Sequence, residues 1–359
     1  MMICGAHPPD ACGIGHYFFH LIAELVPSHS LTVFLPRIPD QGNRIPGIDY
    51  RPYSFKIVTF IRRHQTEIVH WQLISQGFRY SISFLGLMLY LRIRFPRLIQ
   101  LVTLHDFSSL HPINRIRLLC AAGIAQGVIV TVDKEKAGLK PFQANLLTIP
   151  IASNISLNRP WQPPERYSPL RMVLWGFPTR TRNIAAILEA LQRLIAVTMD
   201  FKITLIPGWI NIPPDLIALY QNRIRDYGLD SYVSTTGYLS ESDMIDVLLN
   251  SHLSLLIFTD GVSFRRTSFI GSAGLGIPMI VSDGPSTDPM LRRHLACSML
   301  PEQTPSAIVN KIIDFIRSPE PFIHESRWMS NYIRRHHTWK TISRLHSTLY
   351  RKLCPEPMN

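Results

Sequence analysis

Ten short apolar segments, five in each half of the chain, constrain the fold more than any other feature. They cover residues 30–36, 68–73, 98–106, 127–132 and 146–150, and then 172–176, 202–208, 231–237, 253–258 and 278–283. The segments are rich in Val, Ile and Leu without strict apolar–polar alternation, which is typical of parallel strands covered on both faces. Helical patterns such as 184–194 separate them. The sequence therefore predicts an α/β fold of open parallel sheets.

A proline-rich segment divides the two halves. Residues 153–169 contain four prolines and show no periodicity, which is typical of a linker. A chain of 359 residues also exceeds one ordinary core. We expect domains at 1–160 and 161–324, and a basic closing helix within 325–359. Two such domains create a cleft, and ligands of open parallel sheets bind beyond the carboxyl ends of the strands.

The charge balance favours anionic partners. The net charge is +12 and the sequence pI is about 9.7, which suits nucleotides, nucleic acid or acidic lipid head groups. The charges are spread along the chain, so a solvated basic surface is the alternative. A nucleic-acid binder would need aromatic residues interleaved on a basic face or a recognisable module. The sequence has neither, and we expect no nucleic-acid partner.

One apolar segment bears on membranes. Residues 80–91 are too few to span a bilayer, and Arg79, Arg92, Arg94 and Arg97 flank them. Both a membrane-surface helix and an ordinary buried helix agree with this pattern. The first residues lack the basic and apolar regions of a signal peptide. The five scattered cysteines form no CxxC pair, which indicates a reducing cytoplasm and neither a zinc cluster nor a disulfide framework.

The strongest candidate site follows the apolar segment 253–258. The polar and glycine residues there are Asp260, Gly261, Ser263, Arg265, Arg266, Thr267 and Ser268. Thr267 or Ser268 would cap the next helix, and two guanidinium groups beside a helix N-terminus attract an anion. An inter-domain salt bridge is the structural alternative.

A second basic cluster follows the segment 172–176. Arg180 and Arg182 come after Gly176 and precede a helix that begins near Asn183. Guanidinium forks match phosphate oxygens, so these arginines predict a diphosphate site. A solvated surface pair is the alternative.

The first half offers weaker candidates. Gly13 and Gly15 precede a helix and would let the backbone approach a ligand, although a plain tight turn explains them equally well. Phe18 fills the place of the third glycine of a dinucleotide fingerprint, which argues against a dehydrogenase.

Two further strand ends carry polar residues. His105 and Asp106 end the segment 98–106, where the imidazole could bond a sugar hydroxyl and the carboxylate could orient it. A structural histidine in a loop is the alternative. His70 and Gln72 end the segment 68–73, where their polar groups could contact an acceptor.

The order of these motifs resembles the nucleotide-sugar glycosyltransferases of the GT-B fold, in the large retaining group 1 with a family 4-like pattern. CGIGHY resembles their glycine loop, VTLHDF their strand ending in His-Asp, and WGFPTRTRNIAAILEAL the opening of their donor domain. GLGIPMIVSD resembles their small-residue helix and strand. WKTISRLHSTLYRKL resembles the helix that crosses back to the first domain. The resemblance covers nearly the whole chain.

The chain also departs from that family. Ser263 and Gly271 stand where many relatives carry two glutamates, Phe177 where many have arginine, and Arg182 where they usually have lysine. A subset with an Asp-Gly-x-Ser-x-Arg-Arg segment looks more like this chain. That subset tends to have aspartate where His16 stands.

The resemblance implies two Rossmann-like doubly wound domains facing a cleft, and a hexosyltransferase-like enzyme. It would move a sugar from a nucleotide-diphosphate sugar to a glycan or lipid-linked acceptor, with retention and without a metal or cofactor. Arg182, Arg265 and Arg266 would stabilise the charge that develops on the diphosphate. His105 would touch the sugar or the acceptor.

The expected contacts divide between donor and acceptor. The expected donor contacts are Gly13, Gly15, Gly176, Arg180, Asp260, Gly261, Ser263, Thr267 and Ser268, and the expected acceptor contacts are His16, His70, Gln72 and Asp106. We expect a cytoplasmic protein, peripheral on the inner face of the membrane, that acts on a cell-envelope polysaccharide. A catalytically inactive GT-B-like protein that binds a nucleotide or a partner is the alternative, favoured by the missing glutamates.

Overall fold

A computed structural model of the chain divides into two compact units. The first unit is Met1–Ala152 with Thr338–Asn359, and the second unit is Ser153–His337. The chain therefore leaves the first unit once and returns to it near its end. The residues that the structure describes are 1–8, 13–54, 56–73, 82–105, 107, 110–141, 145–176, 182–197, 200–207, 214–237 and 239–354.

Strands make up two separate sheets. Within the described residues they are β1 (Met2–Cys4), β2 (Thr32–Leu35), β3 (Asp49–Pro52), β4 (Ile68–Leu73), β5 (Ile99–Leu104), β6 (Gly127–Val130), β7 (Leu146–Thr148), β8 (Leu170–Trp175), β9 (Phe201–Ile206), β10 (Val233–Thr235), β11 (Leu253–Leu256), β12 (Met279–Ser282) and β13 (Met299–Leu300). Each of the ten apolar segments overlaps one of these strands, so the predicted strands are confirmed. β1, β3 and β13 were not predicted.

Helices connect the strands. Over the same residues they are α1 (Gly13–Leu25), α2 (Lys56–Arg63), α3 (Ile82–Arg94), α4 (Pro112–Ile124), α5 (Ile184–Ala196), α6 (Pro214–Asp226), α7 (Glu241–Leu249), α8 (Thr267–Leu275), α9 (Pro289–His294), α10 (Pro305–Arg317), α11 (Glu320–His336) and α12 (Trp339–Leu353). Among the described residues no helix is both long and apolar enough to cross a membrane.

The first unit contains a seven-stranded parallel sheet. Its strand order is β3-β2-β1-β4-β5-β6-β7, so the order reverses direction between β1 and β4. Parallel strands need crossover connections, which here are helices. Side chains of β4, β5, α2, α3 and α4 share one apolar core, in which Trp71 and Phe84 are fully buried.

The second unit contains a six-stranded parallel sheet in the order β10-β9-β8-β11-β12-β13. α5 shows how the sequence fixes a covering helix. Ile187, Leu191 and Leu194 recur at helical spacing and are buried against the sheet. Asn183 caps the helix by accepting a hydrogen bond from the Ala186 amide at 3.3 Å. Both sheets are thus wound with helices, and the α/β class predicted from the sequence is confirmed.

The proline-rich segment is held against the second unit. Trp161 is buried, its amide donates to the Leu275 carbonyl at 2.7 Å, and its indole Nε1 donates to the Ser251 carbonyl at 2.7 Å. The Ser153 amide also donates to the His337 carbonyl at 3.1 Å. The segment 153–169 lacks helix and strand, but these bonds anchor it.

The closing segment forms two helices, which corrects the single helix predicted within 325–359. α11 ends at His336, and α12 begins at Trp339. Thr338 separates them because its Oγ1 accepts a hydrogen bond from the Thr341 amide at 3.2 Å, which starts a new helix. α11 packs on α8 in the second unit, and α12 packs on α1 in the first.

Candidate functional site

Phe258 is the centre of a cationic cluster in the second unit, just beyond the carboxyl end of β11. Its amide donates to Ser282 Oγ at 2.7 Å, and its carbonyl accepts from Ser282 Oγ at 2.8 Å and from Gln303 Nε2 at 2.7 Å. These bonds fix the backbone of Phe258 against β12. The phenyl ring is therefore held firmly and is only 3% exposed.

Two guanidinium groups contact the ring of Phe258. The Cζ atoms of Arg182 and of Arg266 each lie 4.6 Å from its centroid. Cations are attracted to the face of an aromatic ring, so one phenyl group binds two positive charges that are far apart in sequence. Arg182 also forms an isolated antiparallel bridge with Phe258. The two basic clusters predicted from the sequence thus meet at one point.

Arg182 is buried rather than a solvated surface residue. Its side chain donates from Nη2 to the Trp175 carbonyl and to Ser268 Oγ, the latter at 3.3 Å. Its Nη1 is enclosed and has no hydrogen-bond partner among the described residues. Burial lowers the pKa of the guanidinium, and the neighbouring charge of Arg266 lowers it further. An enclosed cation with an unsatisfied donor is a strong local source of positive potential.

Arg266 pairs with Asp260 inside the same loop. Arg266 Nη2 lies 2.6 Å from Asp260 Oδ1, and the two side chains are 23% and 30% exposed. The inter-domain salt bridge considered as an alternative is therefore not what this pair forms. The N-cap residue of α8 is Arg266, which corrects the predicted cap at Thr267 or Ser268, and Thr267 is the first helical residue. The first amides of a helix have no intrahelical acceptor, so donors and two guanidinium groups converge here.

The remaining candidates of this loop are partly enclosed. Arg265 and Thr267 are half-buried, and Ser268 is buried. Ser263 is 1% exposed, and its hydroxyl has no hydrogen-bond partner among the described residues. The Phe264 amide donates to Asp288 Oδ2 at 3.2 Å, which fixes the middle of the loop.

Glycine is required at two positions of this cluster. Gly176 has a φ of +108°, and a Cβ there would lie 2.6 Å from Arg182 Nη2. Gly261 has a φ of +87°, and a Cβ there would overlap Thr287 Oγ1 and lie 2.5 Å from the Gly284 amide nitrogen. Both values of φ belong to the region that side chains disfavour. Gly176 lets the end of β8 approach Arg182 and Ser268, and Gly261 lets its loop approach Gly284 and Thr287.

Trp175 explains one departure from the glutamate pattern. A Cβ at Gly271 would overlap the Trp175 ring and come within 3.2 Å of Ile155 Cδ1. The space that a glutamate side chain would need at position 271 is thus filled by an indole. Trp175, at the end of β8, therefore packs directly on Gly271.

The candidates of the first unit belong to a buried polar cluster. His105 Nε2 lies 3.0 Å from Gln72 Oε1, and Gln72 Nε2 lies 3.2 Å from His70 Nε2. His70 also bonds through Nε2 to Thr103 Oγ1 and through Nδ1 to the Tyr350 hydroxyl, both at 2.7 Å. His105, His70 and Gln72 are only 7%, 1% and 0% exposed.

α1 and α12 complete this cluster. The Tyr17 hydroxyl of α1 lies 3.2 Å from His346 Nε2 of α12, and the Tyr17 ring packs edge-on against His105 at 5.0 Å. Burial lowers the pKa of His105 and of His346 to about 3 and holds the pKa of His70 well below its usual value. The three imidazoles are therefore neutral at physiological pH.

This burial bears on the expected acceptor contacts, which stay predictions. His70 and Gln72 are enclosed by hydrogen-bond partners and do not present polar groups to solvent, and His105 is nearly as enclosed. Their polar atoms are satisfied within the first unit, as buried polar groups generally are. They hold β4, β5 and α12 together. His16, at the start of α1, is exposed.

The remaining predicted site residues are Gly13, Gly15, Arg180 and Asp106. Gly13 is exposed with open space around it, whereas a Cβ at Gly15 would lie 3.2 Å from the His7 amide nitrogen, which explains the glycine by close packing after β1. Arg180 and Asp106 lie outside the described residues. In the described part of the chain, no group of three His, Cys, Asp or Glu side chains could hold a metal ion.

Solved structures resemble the chain over nearly its whole length. Sucrose-phosphate synthase (tll1590) from Thermosynechococcus elongatus has 16% identity and a TM-score of 0.73, with 99% of this chain and 100% of that chain covered. Anabaena Alr3699/HepE in complex with UDP has 12% identity and a TM-score of 0.75, with coverage of 98% and 99%. The lipopolysaccharide outer core galactosyltransferase WaaB has 14% identity and a TM-score of 0.71, with coverage of 98% and 100%. The chain has the GT-B fold. No family model and no curated protein matches it.

Within this GT-B chain, the Phe258 cluster belongs to the second Rossmann-like unit and the histidine cluster to the first. Sequence reasoning singled out the arginines but missed Phe258, because an aromatic residue at a strand end looks like ordinary core. It also missed Tyr17, His346 and Tyr350. Their hydrogen-bond partners lie hundreds of residues away in the chain. The apolar periodicity of a helix does not predict which distant residues its polar side chains will contact.

Proposed function

We propose that the protein is a glycosyltransferase that moves a sugar from a nucleotide-diphosphate sugar to a glycan or lipid-linked acceptor. The observation that carries the proposal is the meeting of Arg182 and Arg266 on Phe258 beside the first turn of α8. This site lies beyond the carboxyl end of a parallel strand, where ligands of such sheets bind. Support also comes from Anabaena Alr3699/HepE, which shares the fold and has been solved with UDP-glucose.

The chemistry follows from the charge on the leaving group. Cleavage of the bond between the sugar and the diphosphate leaves negative charge on the diphosphate oxygens. Arg265, Arg266 and the first amides of α8 would stabilise that charge, since preorganised donors need no rearrangement as it develops. Asp260, which carries a negative charge itself, would orient the Arg266 guanidinium rather than contact the phosphates.

Arg182 has a positioning role in this proposal. Because its side chain is only 6% exposed, it acts on the diphosphate through Phe258 and Ser268 and through its own positive potential. Ser268 and Thr267 would offer their hydroxyl groups and amides to the donor. Gly176 and Gly261 would keep the surrounding loops close enough for this arrangement.

We further propose retention of configuration and a reaction without a divalent metal. The arginines supply the positive charge that a metal ion supplies in other diphosphate sites, so chelators should leave turnover unchanged. The anomeric configuration of the product, followed by NMR, tests retention. A cytoplasmic location is part of the proposal, because the five scattered cysteines of the sequence form no CxxC pair. His16 is the exposed acceptor-side candidate of the first unit, and a cell-envelope polysaccharide is the proposed acceptor.

The test uses the purified full chain, a panel of nucleotide sugars, and acceptors that include lipid-linked glycans. Arg266→Ala should lower turnover by about 10²–10³-fold, as the loss of one preorganised donor does. The control Arg225→Ala removes an exposed arginine from α6 and should keep wild-type turnover.

Three other outcomes would change the proposal. Equal turnover of Arg266→Ala and wild type would remove the central role of that residue. A nucleotide sugar that raises the melting temperature without product on any acceptor would favour the inactive nucleotide-binding alternative. If no nucleotide sugar raises the melting temperature or is turned over, the proposal is wrong.

A further inference from the structure

Large apolar side chains are exposed on two helices of the first unit. Leu89, Tyr90 and Ile93 of α3 are 49%, 46% and 73% exposed, and Ile113 and Ile116 of α4 are 55% and 60% exposed. A single exposed apolar side chain is ordinary, but several together mark an interaction site. These five residues are called the α3–α4 patch below.

The two groups of exposed side chains lie on neighbouring helices. α3 connects β4 to β5 and α4 connects β5 to β6, and these three strands are adjacent in the sheet. Right-handed crossovers place both helices on the same face of the sheet, and the helices pack against each other. Their inner sides bury Phe84, Met88 and Leu118 in the shared core. Their outer sides therefore face away from the sheet together.

Positive charge accompanies the patch. Five arginines lie in or next to the two helices, and they are Arg92, Arg94, Arg97, Arg115 and Arg117. Neither helix contains an aspartate or a glutamate. Arg117 bonds to Asn114 at 3.3 Å and Arg115 lies over the Phe107 ring, but none of the five forms an ion pair with another described residue. The surface thus combines exposed aliphatic groups with positive charge that no described residue neutralises in an ion pair.

We propose that the α3–α4 patch docks on the surface of an anionic lipid bilayer. The aliphatic side chains would enter the boundary between head groups and acyl chains, and the arginines would contact the anionic head groups. The proposal holds whether or not the protein transfers a sugar, because it rests on the composition of this surface alone.

The chemistry favours a bilayer over the other occupants of such a surface. A second copy of the chain would bring five arginines against five more, and like charges repel across an interface. Nucleic acid would match the arginines, but its bases stack on aromatic rings, whereas four of the five exposed residues are aliphatic. A bilayer offers an apolar layer and anionic groups at the depths that this surface needs.

The test is co-sedimentation of the full chain with phosphatidylcholine vesicles that contain or lack phosphatidylglycerol. The wild type should bind the anionic vesicles and bind the neutral ones much more weakly. The double variant Ile93→Ser/Ile116→Ser should bind anionic vesicles at least about tenfold more weakly, because two aliphatic side chains lose their apolar contact. Arg92→Gln/Arg115→Gln should lose about fivefold per arginine on anionic vesicles only.

A matched control distinguishes binding through the α3–α4 patch from nonspecific binding through any exposed apolar side chain. Ile217 and Leu219 of α6 are 39% and 48% exposed in the second unit. Ile217→Ser/Leu219→Ser should bind anionic vesicles as the wild type does. All of these substitutions are at exposed positions, and circular dichroism melts should stay unchanged. Failure of the wild type to sediment with anionic vesicles, or equal binding by the patch and control variants, overturns the proposal. Self-association that Ile93→Ser/Ile116→Ser abolishes, without vesicle binding, overturns it in favour of a second copy.

Discussion

Acidification should destabilise the first unit through its buried histidines. His70, His105 and His346 have folded-state pKa values below the ordinary value of 6.5, mainly because burial disfavours the charged form. In the unfolded chain the same groups bind protons at higher pH. Their contribution to stability is therefore present above pH 6.5 and is lost as the pH falls from 6.5 towards about 3.

The size of the effect depends mainly on the unfolded state. Between pH 7 and pH 5 a buried histidine stays neutral while the unfolded one becomes protonated, which lowers the free energy of unfolding by about 2 kcal/mol per group. For His105 and His346, both near pKa 3, the loss is about 4 kcal/mol. That is a large part of the stability of a typical domain. Among the residues that the structure describes, no carboxylate forms a hydrogen bond with any of these three imidazoles.

The assay compares the wild type with His346→Gln in urea titrations at pH 7 and pH 5. Pulsed hydrogen exchange of peptides from β4 and β5 reports unfolding of the first unit alone. The variant should lose about 2 kcal/mol less on acidification than the wild type, whatever its stability at pH 7. The control His111→Gln removes an exposed imidazole and leaves the cluster intact. Parallel pH dependence of the wild type and His346→Gln would refute the reasoning, as it would mean that His346 does not stay neutral in the fold.

Glycine substitutions test the packing of the second unit. Gly261→Ala should cost about 3 kcal/mol or more in thermal unfolding because it combines a positive φ with a clash against Thr287, whereas Gly228→Ala has a positive φ but open space and should cost about 1 kcal/mol. Equal losses in these two would show that the loop moves aside freely. Gly271→Ala should also lower the melting temperature because its methyl group meets an indole ring, whereas Gly86→Ala, in the open interior of α3, should add about 0.5–1 kcal/mol. A melting temperature of Gly271→Ala at or above that of the wild type would contradict the close packing of α8.

The strands could be predicted where they are long enough to show a run of apolar residues in the sequence. The segment 68–73 matches β4 at both ends. β1 and β13 have three and two residues, which is too short for a pattern. β3 contains Pro52 and two charged residues. An edge strand tolerates these residues, but they give β3 no apolar pattern by which the sequence could predict it.

The candidate site was predictable only in part. Arg182 and Arg266 could be chosen because positive charge at strand ends is visible in the sequence, yet their meeting on Phe258 depends on the strand order of the sheet. The sequence also did not indicate which of the predicted polar residues are buried. His70 and His105 follow the same strand-end rule as the arginines, but α12 covers His70 through Tyr350, and no local pattern indicates which helix does so.

During translation the second unit emerges whole before the first unit has all of its chain. Tyr350 and His346 are synthesised after residues 153–337, yet they supply the hydroxyl partner of His70 and the imidazole partner of Tyr17. Until α12 leaves the ribosome, β4 carries a histidine without its hydroxyl and α1 lacks the helix that packs on it. The nascent chain therefore has all the residues of the second unit before the first unit receives α12, and synthesis of α12 sets the earliest moment at which the first unit can close.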